Sequence, residues 1–350
     1  MNIGIITFHW GANHGAVLQA YALSEYLKNQ YGANVEIIDY CPKKLEITAA
    51  NTFKLRKLKR IHQKIGELKK EQKIKPFRNT LKLSKRYYSN EELINADLNY
   101  DILITGSDQI WNPSFLRTGE GTVTPVYFLN FGAVGTKKLS VSASFGCEQF
   151  PVDCQQIALP LLKSFHELSV RENTGKEILN DMGLRATVTA DPTALISREQ
   201  YLSLCISADN DRNIVSKMIL RRQSKKVSEL INSICKTYSS HKIADIEKYS
   251  IPEWLTAIKH SKMVITNSFH CVMMCLKLHT PFMVVLEDGQ KSGMNDRFKT
   301  LLDIFDLNER VVNSKEDLLR VPAEIDFEKI DTIMNNYAQS LKSFLDRNIC

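Results

Sequence analysis

Hydrophobic and polar positions alternate along this chain with two periods. NIGIITF reads as a strand, and Ala16, Ala20, Leu23 and Leu27 then recur at helical spacing within HWGANHGAVLQAYALSEYLKNQYG, with Gly32 placed to close the helix. NVEIIDY is the next strand run. Strand, glycine-bearing loop, helix and strand in quick succession open a parallel α/β domain.

The alternation continues through DILITGSDQIWN, KLSVSASFG, ELSVREN and ATVTADPTALI, each an apolar strand run with its polar residues at the carboxyl end. From about residue 195 a second series follows. SKMILRRQSKKVSELINSICKTYS predicts a short strand and a helix, IPEWLTAIKHS a helix with Pro252 in its first turn, and KMVITNSFH a strand running into a loop. CVMMCLKLH and PFMVVLE predict the next helix and strand, and Ile330, Ile333, Tyr337, Leu341 and Leu345 mark a closing amphipathic helix from Asp326 on. The expected class is α/β, with two Rossmann-like domains facing a cleft: residues 1–190, residues 191–325, and a C-terminal helix at 326–350. A helical excursion at about residues 45–95 interrupts the first domain. Leu55, Leu58, Ile61 and Ile65 set its apolar seam, and Pro76 is expected to end it.

In open α/β sheets the loops at the carboxyl ends of the strands converge on the ligand crevice. The polar residues of interest all fall there. Asn13 and His14 lie in the Gly11–Gly15 loop after the first strand, Ser107 and Asp108 in GSDQ, Arg171 in VREN, and Asn267, Ser268 and His270 in TNSFH. The glycine loop has neither GxGxxG spacing nor a P-loop lysine, which argues against a dinucleotide or Walker site. Asn267 or Ser268 can cap the helix that follows, whose amino end offers amide donors to an anion. Capping does not explain His270. Taken singly, these residues also fit a core histidine, a turn-capping Asp108 and a surface ion pair at Arg171. Taken together, an acid, an arginine and a histidine at strand ends of two domains describe a cleft for an anionic substrate.

Length changes the picture little: 350 residues suit two ordinary cores. Charge changes it more. Fourteen Lys/Arg between Lys54 and Arg86 face only Glu67 and Glu71, a local excess of twelve, so the rest of the chain carries a net −5. This basic segment is expected either to be a solvated face or to contact an anionic polymer or membrane surface; nucleic acid is not expected, because no reader motif accompanies the charge. The eight cysteines show no paired CxxC spacing, which predicts buried thiols and no metal site. The first residues lack the features of a secretory signal, and no apolar run reaches about 18 residues, so a cytoplasmic chain is expected, peripheral at most to the inner membrane face.

The order FHWGANHGAVLQAYAL, GSDQIWN, ASFG, SVREN, ADPTALI, PEWLTAIKHSKMVITNSFH, NDRFKTLL resembles the polysaccharide pyruvyl transferase family from the first strand to about Arg310. The resemblance implies a two-domain GT-B architecture and transfer of the enolpyruvyl group of phosphoenolpyruvate to a sugar, giving a pyruvate ketal, with no cofactor. It implies that His270 is the catalytic acid and that Asp108 acts on the acceptor hydroxyl or the developing cation. Arg171, Asn267, Ser268, Ser107, Asn13 and His14 would then bind substrate. One position departs from the pattern: Ser268 stands where many members carry arginine, and Arg297 or His14 is expected to replace the missing charge. The implied partners are phosphoenolpyruvate and a glycan or lipid-linked sugar acceptor; the charge of residues 54–86 adds an expected contact with an anionic membrane. A nucleotide-sugar glycosyltransferase and a non-catalytic glycan-binding protein are the rival readings.

Overall fold

A computed structural model describes the chain except residues 44, 48–60, 118–121, 208–212, 221–222, 287–294, 323 and 350, and except the side chains of residues 61–63. The chain divides into two compact units, Met1–Leu195 with Ala338–Cys350, and Ile196–Tyr337. The first unit carries strands β1 (Asn2–Ile6), β2 (Asn34–Ile37), β3 (Ile102–Gly106), β4 (Lys137–Ala143), β5 (Glu167–Val170) and β6 (Thr187–Val188). They form one sheet in the order β2-β1-β3-β4-β5-β6, with every pairing parallel. Its central strands are apolar on both faces, as a sheet covered by helices on both sides requires.

Helix α1 (His14–Tyr31) follows β1. The Asn13 side chain accepts from the amides of Gly15 and Ala16, and Gly32 closes the helix at φ +62° with its amide on Lys28 O. Helix α2 (Ile61–Arg78) is the described part of the basic excursion. Leu55 and Leu58 of the expected seam lie outside the described residues. Pro76 does not end the helix as expected: it sits in the final turn, where only two residues follow, so little remains for the ring to disrupt. Ile74 and Phe77 fix α2 to the unit by burial. The chain then runs beside β2, with parallel bridges Ile37↔Leu83 and Tyr40↔Tyr87, and so covers an edge that would otherwise be open.

The second unit carries β7 (Ile214–Met218), β8 (Lys242–Asp245), β9 (Ser261–Thr266) and β10 (Phe282–Val284) in the parallel order β10-β9-β7-β8. Strand β8 carries no apolar run in the sequence; three of its four residues are exposed, which fits a short edge. Helix α3 (Lys225–Thr237) packs Val227, Ile231 and Ile234 into a core with Val215, Met263 and Ile265. Helix α4 (Phe269–Leu278) is buried at all ten positions, which explains its apolar sequence: it is a core helix, not an amphipathic one. Even Lys277 is buried, its Nζ donating to Ile196 O at 2.8 Å. Helix α5 (Asp296–Phe305) follows. Helix α6 (Phe327–Ile349) contributes residues to both units, burying Ile330 and Met334 in its first half and Leu341, Phe344 and Leu345 in its second; Ile333 is only half-buried. No helix among the described residues is long and apolar enough to cross a membrane.

Candidate active site

Each sheet has one place where the chain reverses its direction of growth. After β1 the chain adds β2 on one side and then β3 on the other; after β7 it adds β8 on one side and β9 on the other. The crevice outside such a switch point is where α/β sheets bind ligands. Thr7 and Ser107 sit at the first of these points, and Thr266 and Asn267 at the second.

In the first unit, Thr7 and Ser107 follow β1 and β3, and the Thr7 hydroxyl donates to Ser107 O at 3.2 Å. Gln19, fully buried on α1, clamps the two loops together: its Nε2 donates to Thr7 Oγ1 at 2.8 Å and its Oε1 accepts from Ser107 N at 3.1 Å. The Ser107 hydroxyl lies 3.1 Å from both Ser142 O and Asp191 Oδ2. Asp191 also accepts at Oδ1 from the Thr193 amide and hydroxyl, at 3.0 and 2.7 Å. Arg171 reaches the same carboxylate, with Nη1 2.8 Å from Asp191 Oδ2. The guanidinium also faces Asp108 Oδ1 at 3.9 Å and Glu172 Oε2 at 4.0 Å.

The loop after β3 is held in an unusual shape. Asp108 has φ +62° and Gly106 φ +120°, and a Cβ on Gly106 would sit 2.2 Å from Val141 O, so only glycine fits there. Aspartate tolerates the left-handed region better than most residues, and the Gln109 amide donates to its Oδ1 at 2.8 Å. Non-glycine residues held in such conformations cluster at functional sites.

The charges of this cluster do not balance. One guanidinium faces three carboxyl groups, and the cluster is almost wholly buried. Burial disfavours the Arg171 cation, but Asp191, Glu172 and Asp108 outweigh it and raise its pKa further. Glu172 moves the other way for a carboxyl: burial raises its pKa despite Arg171 and the amides of Gly146 and Phe145. The Arg171 guanidinium is thus engaged with carboxylates of the protein itself, Asp191 nearest of all.

In the second unit, Thr266 ends β9 and donates its hydroxyl to Met218 O at 2.8 Å, at the end of β7. Asn267 pairs with the backbone of Leu220, accepting from its amide at 2.7 Å and donating to its carbonyl at 3.1 Å. Ser268 is the N-cap of α4, its hydroxyl accepting from Cys271 N at 3.4 Å. His270 is not in the connecting loop, as expected, but in the first turn of α4, because Ser268 ends the loop by capping. It is buried, with Phe269 edge-on at 5.4 Å. Arg297, on α5, stacks over Phe269 at 6.0 Å and over Phe298 at 5.8 Å. That places a guanidinium beside Phe269, the residue between Ser268 and His270.

The structure thus groups Ser107, Asp108 and Arg171 in one cluster, and Asn267, Ser268, His270 and Arg297 in another. Asn13 is an exposed helix cap and His14 a buried residue of α1. The sequence reading passed over Thr7, Gln19, Glu172 and Asp191 as site residues. Asp191 stood in plain view at the end of ATVTAD, and Gln19 was the one polar residue in the apolar run GAVLQAYAL. Among the described residues no group of histidines, cysteines and acids could hold a metal ion, and the cysteines are free.

Comparison with known proteins adds three findings. No curated protein sequence matches the chain. Among solved structures, a protein from Listeria monocytogenes assigned as a UDP-N-acetylglucosamine 2-epimerase aligns over 98% of this chain and 94% of its own, at 12% identity and a TM-score of 0.54. The UDP-GlcNAc 2-epimerase of Methanocaldococcus jannaschii, in complex with UDP-GlcNAc and UDP, aligns over 99% of both chains at 12% identity and a TM-score of 0.46. The first likeness is one of fold, the GT-B fold. The family model for polysaccharide pyruvyl transferases matches residues 13–289, which takes in strands β2 to β10. The chain belongs to the polysaccharide pyruvyl transferase family, a family of transferases.

Proposed function

We propose that this protein transfers the enolpyruvyl group of phosphoenolpyruvate to two hydroxyls of a sugar in a cell-surface polysaccharide or its precursor. The observation that carries this reading is the family match over residues 13–289, which spans Asp108, Arg171 and His270.

The chemistry asked of these residues balances as follows. His270 gives a proton to the methylene carbon of phosphoenolpyruvate, leaving an oxocarbenium-like centre at C2. A sugar hydroxyl adds to C2, and Asp108 takes its proton. A second hydroxyl then attacks C2 and gives its proton to His270 as the carbon–oxygen bond to phosphate breaks, leaving a cyclic ketal and inorganic phosphate, and Asp108 releases the first hydroxyl's proton to solvent. A histidine suits the acid because its ordinary pKa lies near neutrality. Arg297 and the first amides of α4 are the proposed partners of the phosphate, since the Asn267 and Ser268 side chains are engaged with backbone. Arg171 and Glu172 are positioning residues in this scheme, fixing Asp108 and Asp191.

We place this reaction on the cytoplasmic side, where residues 54–86 would meet anionic lipid and so bring the enzyme to a lipid-linked acceptor. The test is phosphate release. Purified enzyme with phosphoenolpyruvate and a sugar acceptor should release inorganic phosphate in step with ketal formation, and His270→Ala should release none. Turnover of a nucleoside diphosphate sugar in place of phosphoenolpyruvate would overturn the reading.

A further inference from the structure

The basic helix α2 does more than present charge. Leu68, Glu71, Gln72, Lys75 and Arg78 recur at steps of three and one, so they share one face of the helix, and together with Asn79, just past its end, they line a cavity of about 310 Å³ in the first unit. Its other wall is the carboxyl end of the sheet: Trp10 and Gly11 follow β1, Cys41 follows β2, and Leu83 and Arg86 come from the segment that covers the sheet edge. The volume lies at the lower end of the range for ligand pockets, about 300–1,000 Å³.

The charges in this cavity argue against an anion. Arg78 is held by Glu71 through two hydrogen bonds, and Arg86 donates to Asp39 Oδ2 at 2.9 Å and to Glu46 Oε1 at 2.6 Å. Glu46 and Glu71 line the cavity themselves, so a phosphate would meet both carboxylates. A neutral polyol meets what it needs: donors and acceptors side by side on pinned ion pairs, the amides of Gln72 and Asn79, and apolar surface from Trp10, Leu68 and Leu83 for its C–H face. Asp39 is fixed in turn by His9, whose Nε2 lies 2.9 Å from Asp39 Oδ1, so Arg86 is anchored from behind.

We infer that this cavity is a subsite for one hexopyranose ring of a neutral glycan, with Gln72 and Lys75 of α2 and Asn79 just beyond it reading its hydroxyls. The inference rests on the proposed function, since the ring would belong to the acceptor. Methyl glycosides of glucose, galactose and mannose are the probes, with inorganic phosphate as the control, and binding to the full chain is read by saturation-transfer NMR and titration. At least one methyl hexoside should bind, and Gln72→Ala/Asn79→Ala, both exposed positions, should weaken it about five- to tenfold at unchanged melting temperature, as should Lys75→Ala. Phosphoenolpyruvate should stabilise these variants as it does the parent. If hexoside binding follows the variants while phosphoenolpyruvate has no effect, the subsite stands and the donor assignment falls. No hexoside binding, equal binding in the variants, or displacement of the hexoside by phosphate would overturn the subsite.

Discussion

The Nη1 of Arg171 lies 2.8 Å from Oδ2 of Asp191, with both side chains shielded from solvent. The arginine of VREN and the aspartate of ADPT therefore act as one unit at the end of β5 and β6. Removing one partner of a buried pair strands the other, at a cost of roughly 3–5 kcal/mol. We expect Arg171→Ala to lower stability by that order in urea denaturation, and Arg171→Ala/Asp191→Ala to cost less than the two single changes together. Additive costs would mean that the pair is not coupled. Loss of ligand binding in Arg171→Ala has meaning only beside this measurement.

His270→Gln should leave the fold intact and reduce phosphate release by about 10²-fold or more, the usual worth of a general acid. Asp108→Asn should fall in kcat by a comparable factor, with little change in the melting temperature. Retained turnover in either variant would remove that residue from the chemistry.

Arg297→Ala should raise the dissociation constant for phosphoenolpyruvate without unfolding the protein, because the guanidinium stacks on Phe269 and Phe298 at the edge of the α4 amino end. Unchanged affinity by titration would leave the charge missing at Ser268 without a replacement.

Asp39 sets a pH dependence. Burial raises its pKa, but the hydrogen bonds from His9 and Arg86 outweigh this and hold it below the ordinary carboxylate range. A depressed carboxyl contributes stability that is present above its unfolded pKa and is lost as pH falls through the folded one. Urea midpoints should therefore decline below about pH 4, and Asp39→Asn should flatten that decline. An equal slope in the variant would contradict the assignment.

Gly106→Ala should abolish soluble folded protein, since its Cβ would lie 2.2 Å from Val141 O. Normal expression and melting would show that the β3 loop can take another shape.

Much of this was legible in the sequence, for identifiable reasons. Strand runs that end in GSD, VREN and ADPT announce both their period and their carboxyl ends, so the sequence alone places Asp108 and Arg171 at the sheet top. The partners of Arg171 beyond the adjacent Glu172 could not be placed in this way, because Asp108 and Asp191 come from separate segments and only the order β3-β4-β5-β6 brings them to Arg171. Gln19 was hidden for the opposite reason: helical periodicity records that a position is buried, not that its amide bridges two loops. The division between units also differs from expectation. The C-terminal helix was read as a separate element, yet residues 338–350 belong to the first unit, where the Ala190 amide, after β6, donates to the Ser340 hydroxyl at 3.0 Å. Charge counting likewise reads a basic helix as a surface, whereas Arg78 and Arg86 are taken up by Glu71, Asp39 and Glu46.

The central claim is that phosphoenolpyruvate is the donor, and its most direct test is the thermal stability of the full chain with and without that ligand. A ligand that binds only the native state stabilises it by about 2.7 kcal/mol at a hundred times its dissociation constant. The account predicts a clear rise in melting temperature with millimolar phosphoenolpyruvate, retained in His270→Gln and reduced in Arg297→Ala. No rise with phosphoenolpyruvate, together with a rise on adding a nucleoside diphosphate sugar, would contradict it.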